Sequence, residues 1–303
     1  AALAVLPAAA GAQEIAIVKS EDLRAYTQVV TGFSIETRVA ITEYNIARDP
    51  DRGVKIFELI KARKPAPALV LAVGPTAANM ARKQIKDIPI VFCMVPNHEK
   101  YGLDAPNVTG ISLLLPLKVQ LATLKTLVPN LHSVGVMYNP KYNRDVISGA
   151  LAAAKSLGLT LVPAKVDEPD DVQAAAQAFL DKIDAILLIA DRTVSTPQAF
   201  RVLLEFANRN RVPMFSPSEE MVREGALVSI TPDFASIGHQ AGKLANEIIF
   251  RRRQPSTLPV APPEGLEIAI NLSTAKRIGV ECNIALEVFT FAARQSYRIK
   301  VFE

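Results

Sequence analysis

An α/β architecture is predicted for this chain: two lobes with doubly wound parallel sheets around a central cleft. Three observations lead there. A strand–helix–strand module occurs twice. One copy runs from Val39 through Asp49-Pro50-Asp51 and a helix over 54–62 to the strand Leu69–Val73; the other runs from Leu161 through Glu168-Pro169-Asp170 and a helix over 172–179 to a strand over 185–189. Most strand candidates are continuous apolar runs, the pattern of strands covered by helices on both faces. The 303 residues, 50% hydrophobic and 21% charged, suffice for two cores of ordinary domain size.

Strands are predicted over 15–18, 39–43, 69–73, 88–93 and 108–113 in the first half of the chain. They continue over 133–138, 159–164, 185–189, 212–215, 226–230 and 266–271. Helix signals separate them. Pro116 opens a helix with Val119, Leu121, Leu124 and Leu127 largely on one side, and Pro129 closes it. Asn143 reads as the cap of a helix that runs to Leu157 and stops at Gly158. Thr196-Pro197 is an N-cap followed by proline at the first helical position, opening 198–208. The longest helix spans 237–251, with Ala241, Leu244, Ala245 and Ile248 on one face. After Gly279 the register changes, and the alternation over 284–291 and 297–301 predicts a β-hairpin.

The predicted organisation follows. Residues 1–12 (AALAVLPAAAGA) read as the remnant of a signal peptide, with Ala10-Gly11-Ala12 as its cleavage site. The first lobe takes 13–114 plus 234–262, the second 115–233 plus 263–280, and 281–303 form a C-terminal hairpin extension. No stretch reaches the approximately 18 apolar residues needed to cross a bilayer. A leader implies export, so the protein is expected to be periplasmic, secreted and soluble, and monomeric. Cys93 and Cys282 read as two free, packed thiols, with a disulfide between them as the alternative.

Composition and motifs exclude several function classes. Net charge is only +4, and the basic run Arg251-Arg252-Arg253 stands at a predicted helix end, where cations complement the dipole. No basic stripe interleaved with aromatics follows it, so nucleic acid is not an expected partner. G-x-S-x-G, G-x-x-x-x-G-K-[ST] and H-E-x-x-H are missing from the sequence. His98, His132 and His239 lie far apart, without metal-ligand spacing, and no cofactor or metal is expected. The acidic clusters at Asp49–Asp51 and Asp167–Asp171 sit at helix starts, where carboxylates favour the dipole.

In open parallel sheets ligands bind at the carboxyl ends of strands, so strand ends are the candidate site. Gly74, Pro75 and Thr76 follow an apolar strand and open a helix, a place for a carboxylate. Asp191 ends the corresponding strand in the other half. It reads either as a turn cap or as the partner of a ligand amine, and Thr76 with Asp191 would then address a zwitterion. On the second reading Asp191→Ala removes binding and leaves the melting temperature nearly unchanged. Ser20, Glu21, Met94, Asn97, Tyr138, Asn139, Asn143, Ser216 and Glu219 stand at the remaining strand ends. Phe92, Tyr138, Tyr142 and Phe215 are the aromatics nearest to them.

Several of these segments resemble one family. The run Asn107-Val108-Thr109-Gly110-Ile111-Ser112, then Pro116, Pro129 and Val134-Gly135-Val136-Met137-Tyr138-Asn139-Pro140, is similar to ABC transporter substrate-binding proteins related to tryptophan/tyrosine-binding proteins. The strand ending at Asp191, Val212-Pro213-Met214-Phe215-Ser216, Arg223-Glu224-Gly225-Ala226 and Ile270-Asn271-Leu272 extend the likeness over residues 15–280. The resemblance implies a type I periplasmic binding protein: two Rossmann-like lobes joined by three crossovers, closing on a ligand. It also implies a membrane permease as partner, with the Gly74–Thr76 and Met94–Asn97 loops contacting ligand from the first lobe. Tyr138, Asn139, Asn143, Asp191 and Ser216 would contact it from the second. Pro96-Asn97, Gly74 and Arg192 depart from the family pattern, which puts the ligand's identity in question. The expected function is a solute-binding protein of an importer that captures a small polar or zwitterionic, amino-acid-like ligand, possible aromatic ones included. An extracytoplasmic ligand-sensing module is the alternative, and an enzyme is not expected.

Overall fold

The computed structural model describes residues 13–128 and 130–303. The leader reading of residues 1–12 and the stop at Pro129 fall outside that range. The chain divides into two compact units, the first made of the described residues up to Leu114 with Pro232–Gly265, the second of Leu115–Thr231 with Leu266–Glu303.

In the first unit β1 (Glu14–Lys19), β2 (Ala40–Asn45), β3 (Leu69–Val73), β4 (Ile90–Val95) and β5 (Val108–Ser112) form one sheet in the order β2-β1-β3-β4-β5. Its ladders are parallel, with Ile15 opposite Ile41 and Leu69. Side chains alternate across the pleat, so Ile15 and Ile17 enter one buried cluster and Ala16 and Val18 the other. The first cluster is closed by α1 (Arg24–Glu36) and α9 (Phe234–Ile249), and the second by α2 (Pro50–Ala62) and α3 (Pro75–Gln84). Asp49 caps α2 by accepting from the amides of Asp51 (2.9 Å) and Arg52 (3.3 Å), with Pro50 at the first position. Gly53, Ile56, Phe57 and Ile60 then present the buried face at spacings of three and four.

The second unit repeats the plan and extends it. It contains β6 (Ser133–Tyr138), β7 (Thr160–Lys165), β8 (Ala185–Leu187), β9 (Met214–Ser216), β10 (Val228–Pro232), β11 (Leu266–Asn271) and β12 (Arg298–Phe302). Their order is β12-β11-β10-β9-β8-β6-β7. Read from β7, the first strands run 2-1-3-4-5 as in the other unit, so the module seen twice in the sequence occupies the same place in both sheets. One face is covered by α4 (Leu117–Leu127), α5 (Pro140–Ser156), α10 (Leu272–Ile278) and α11 (Glu281–Gln295). The other is covered by α6 (Val172–Gln177), α7 (Pro197–Asn210) and α8 (Glu219–Arg223).

Two expectations are corrected. The segment read as a hairpin is α11 followed by β12, and β12 pairs parallel to β11 with Glu267 opposite Arg298. Ile284, Val288 and Ala292, four residues apart, are buried together, while Leu286 and Phe289 of the apparent alternation are exposed. Burying one helical stripe against the α4 side of the sheet outweighs the period-2 pattern. Residues 281–303 are therefore part of the second unit and not an extension of it. The other correction concerns α5. Its cap is Asn139, whose Oδ1 accepts from the Lys141 amide at 2.9 Å, and Asn143 is a non-helical kink inside the helix (φ −130°, ψ 20°).

Candidate functional site

At the carboxyl edge of the first sheet, β1 and β3 end side by side in Ser20 and Gly74. Gly74 has φ +93°, a left-handed value, and a Cβ there would collide with Tyr26 Oη and lie 2.7 Å from Ser20 Oγ. Glycine leaves α3 without a capping side chain, and Ser20 supplies it from another strand. Its Oγ accepts from the Ala77 amide (2.9 Å) and donates to the Val73 carbonyl (3.1 Å). The Gly74 amide donates to the Cys93 carbonyl (2.9 Å), and Pro75 has no N–H. Of the α3 N-terminal donors, the Thr76 amide is the one left without a hydrogen bond among the described residues, and the half-buried Thr76 hydroxyl is unpaired beside it. Of the Gly74–Thr76 loop, one residue thus keeps two donors without partners among the described residues.

The other first-unit candidates have different roles. Glu21 forms an ion pair with Arg48 and accepts its Nε–H at 2.5 Å. Met94 has φ +59° at a register shift in β4, and its side chain is buried in the core. Asn97 is exposed and left-handed (φ 49°) at the start of a short 3-10 turn, His98–Tyr101. Phe92 is fully buried. Cys93 is a free, buried thiol, and burial pushes its pKa up.

The second-unit candidates gather around Asp191, which is 3% exposed. One carboxylate oxygen, Oδ1, accepts from the amides of Thr193 (2.8 Å) and Val194 (3.1 Å). The other, Oδ2, accepts from the Asn139 amide (2.8 Å) and Asn143 Nδ2 (2.7 Å). Those four N–H groups fill the acceptor positions of the carboxylate. Asn139 ties the hub together, since its Nδ2 donates to Thr193 Oγ1 and to the Asp167 carbonyl, both at 2.9 Å. Asp191 in this arrangement is a buried anchor of the β8–α7 loop. Asn143 is the half-buried member of the arrangement, and exposed Tyr142, flanked by Lys141 and Arg192 at 5.6 and 5.7 Å, stands outside it.

Four further candidates are not brought to that hub. Tyr138 and Phe215 are core residues of one sheet face. Ser216 Oγ donates to the Ser218 carbonyl at 3.0 Å. Glu219 pairs with Lys300 (2.6 Å) and Arg223 (3.2 Å), and Lys300 also reaches Glu267 (2.8 Å). Against the desolvation that would lower it, hydrogen bonds to these two carboxylates raise the Lys300 pKa. Ser229, opposite Ser216 in register, carries a buried hydroxyl with no hydrogen-bond partner among the described residues.

Motif residues prove to be pins of the fold. Thr109 Oγ1 donates to the Leu258 carbonyl (2.8 Å), and Asn107 Nδ2 bonds the Ile85 and Ile88 carbonyls (3.3 and 3.0 Å). A Cβ at Gly110 would lie 2.6 Å from the Phe92 ring. Asn271 caps α10 through Thr274 N (2.8 Å) and reaches the Val222 carbonyl (2.9 Å). Sequence reasoning passed over Tyr26, because a tyrosine in the first turn of an amphipathic helix carries no signal distinguishing it from core.

Comparison with known proteins agrees with this architecture. Residues 31–293 match the family described as ABC transporter substrate binding protein. A tyrosine-binding protein of Clostridioides difficile (strain R20291) is 28% identical over 221 residues, covering 70% of this chain. The match spans 63% of that relative's length. Among solved structures, the ligand-free, open form of a substrate binding protein with adhesive properties from Clostridium difficile superposes with a TM-score of 0.78. It is 22% identical, with 96% of this chain and 100% of that one covered. An ABC domain in complex with L-Trp from Streptococcus pneumonia gives 0.55 at 20% identity, covering 91% and 98%. The fold is that of type I periplasmic binding proteins. With paired 2-1-3-4-5 sheets and a family match over most of its length, the chain belongs to the ABC transporter substrate binding proteins.

Proposed function

We propose that this protein binds a free amino acid outside the cytoplasm, in the periplasm, and delivers it to the membrane permease of an importer. The observation that carries the reading is the unclaimed Thr76 N–H and hydroxyl at the head of α3, in a chain of substrate-binding ancestry. An N-terminal helix turn with free donors suits a carboxylate. Within the second unit, Asp191 holds Asn143 in place. Relatives named for tyrosine and solved with L-Trp support an amino acid as the substrate class. No helix among the described residues is long and apolar enough to cross a membrane.

Calorimetric titration of the purified protein with L-tyrosine, L-tryptophan and L-leucine tests the reading. Saturable binding of at least one is expected. Binding of none, or release of a chemically altered product, refutes it.

A further inference from the structure

The Tyr26 ring is buried in the first unit's α1–α9 cluster and the residue is 6% exposed, yet its hydroxyl has no hydrogen bond among the described residues. Buried phenols ordinarily find a partner for the O–H. The hydroxyl is aimed at the β1–β3 strand ends, since it and Ser20 Oγ are the atoms a Cβ on Gly74 would strike. An unused donor thus borders the same helix terminus at which the Thr76 donors are unclaimed.

We propose that Tyr26 Oη is a ligand contact, which joins the Thr76 N–H and hydroxyl to hold the carboxylate of a free amino acid. The inference rests on the amino-acid reading above and adds to it the group that completes the site. A carboxylate offers about four acceptor positions, so three donors at one helix terminus suit it. Ser20 does not compete, because its hydroxyl is committed to Val73 and Ala77. Glu21 would repel an incoming carboxylate, but its charge is paired with Arg48. Burial, then the nearby Glu21 carboxylate and Cys93, raise the phenol's pKa against the opposing pull of Arg48, so the hydroxyl keeps its proton at neutral pH. The positive end of α3 favours the anion further.

Tyr26→Phe removes the hydroxyl and leaves the ring's packing. Wild type and variant are titrated calorimetrically with L-tyrosine, L-tryptophan and L-leucine and with their primary amides, which lack the carboxylate. The variant is expected to bind the acids about tenfold more weakly, to lose much less affinity for the amides, and to melt within about 2 °C of wild type. Equal affinity of both proteins for the acids overturns this inference and leaves the amino-acid reading intact. Equal weakening of acids and amides overturns it as well, by assigning the loss to packing. A wild type that binds none of the three acids overturns both.

Discussion

Replacing Asp191 by alanine removes an acceptor for four N–H groups at once. Three are main-chain amides, of Asn139 (2.8 Å), Thr193 (2.8 Å) and Val194 (3.1 Å), on residues that are all buried. The fourth, Asn143 Nδ2 at 2.7 Å, is half-buried and can turn to water. Each buried amide left without a partner costs about 1–2 kcal/mol, so Asp191→Ala should destabilise the second unit by about 3–5 kcal/mol. At about 2–4 °C per kcal/mol for a unit of this size, the ligand-free melting temperature should fall by roughly 10 °C. Scanning calorimetry of the empty protein measures it. Asp191→Asn, which keeps one carbonyl acceptor, should lose about half as much. A melting temperature within about 2 °C of wild type would refute the anchor role, and would return the carboxylate to the ligand as the strand-end reading had it.

Three other outcomes are expected. Gly74→Ala places a methyl group against Tyr26 and Ser20 in a left-handed backbone; a loss of about 2–4 kcal/mol in urea unfolding should follow, and an unchanged midpoint would contradict the close approach. The Lys300 pKa is raised in the fold, so its contribution is fully present below the unfolded value near 10.4 and disappears as pH rises through the higher folded one. The stability difference between wild type and Lys300→Met should therefore be flat up to about pH 10 and shrink above it; a difference that grows with pH would show the sign to be reversed. Cys93 is buried with a raised pKa, so peptide mapping after iodoacetamide should find it unmodified in native protein and modified in urea, and native labelling would show that the β4 core opens.

Much of the fold was legible because its signals are local. Continuous apolar strands, Asp49-Pro50 and Thr196-Pro197 caps and the repeated module each act within a few residues of themselves. Where two local patterns competed, as over 284–291, the sequence could not say which stripe had a sheet to cover, and burial of Ile284, Val288 and Ala292 decided for a helix. The candidate site was legible as a set of strand ends, because parallel sheets place their loops there. Which end does what was not.

By itself, then, the chain determined two α/β units, their crossover near Leu114 and the residues at the sheet edges. Tertiary structure alone decided that Ser20 caps a helix fifty-odd residues away, that Asp191 spends its charge on the Asn139 and Val194 amides, and that Tyr26 and Thr76 retain unused donors. The physical reason is that hydrogen-bond capacity is finite. A polar side chain is available to a ligand only after its folded neighbours have taken their share, and those neighbours come from distant segments.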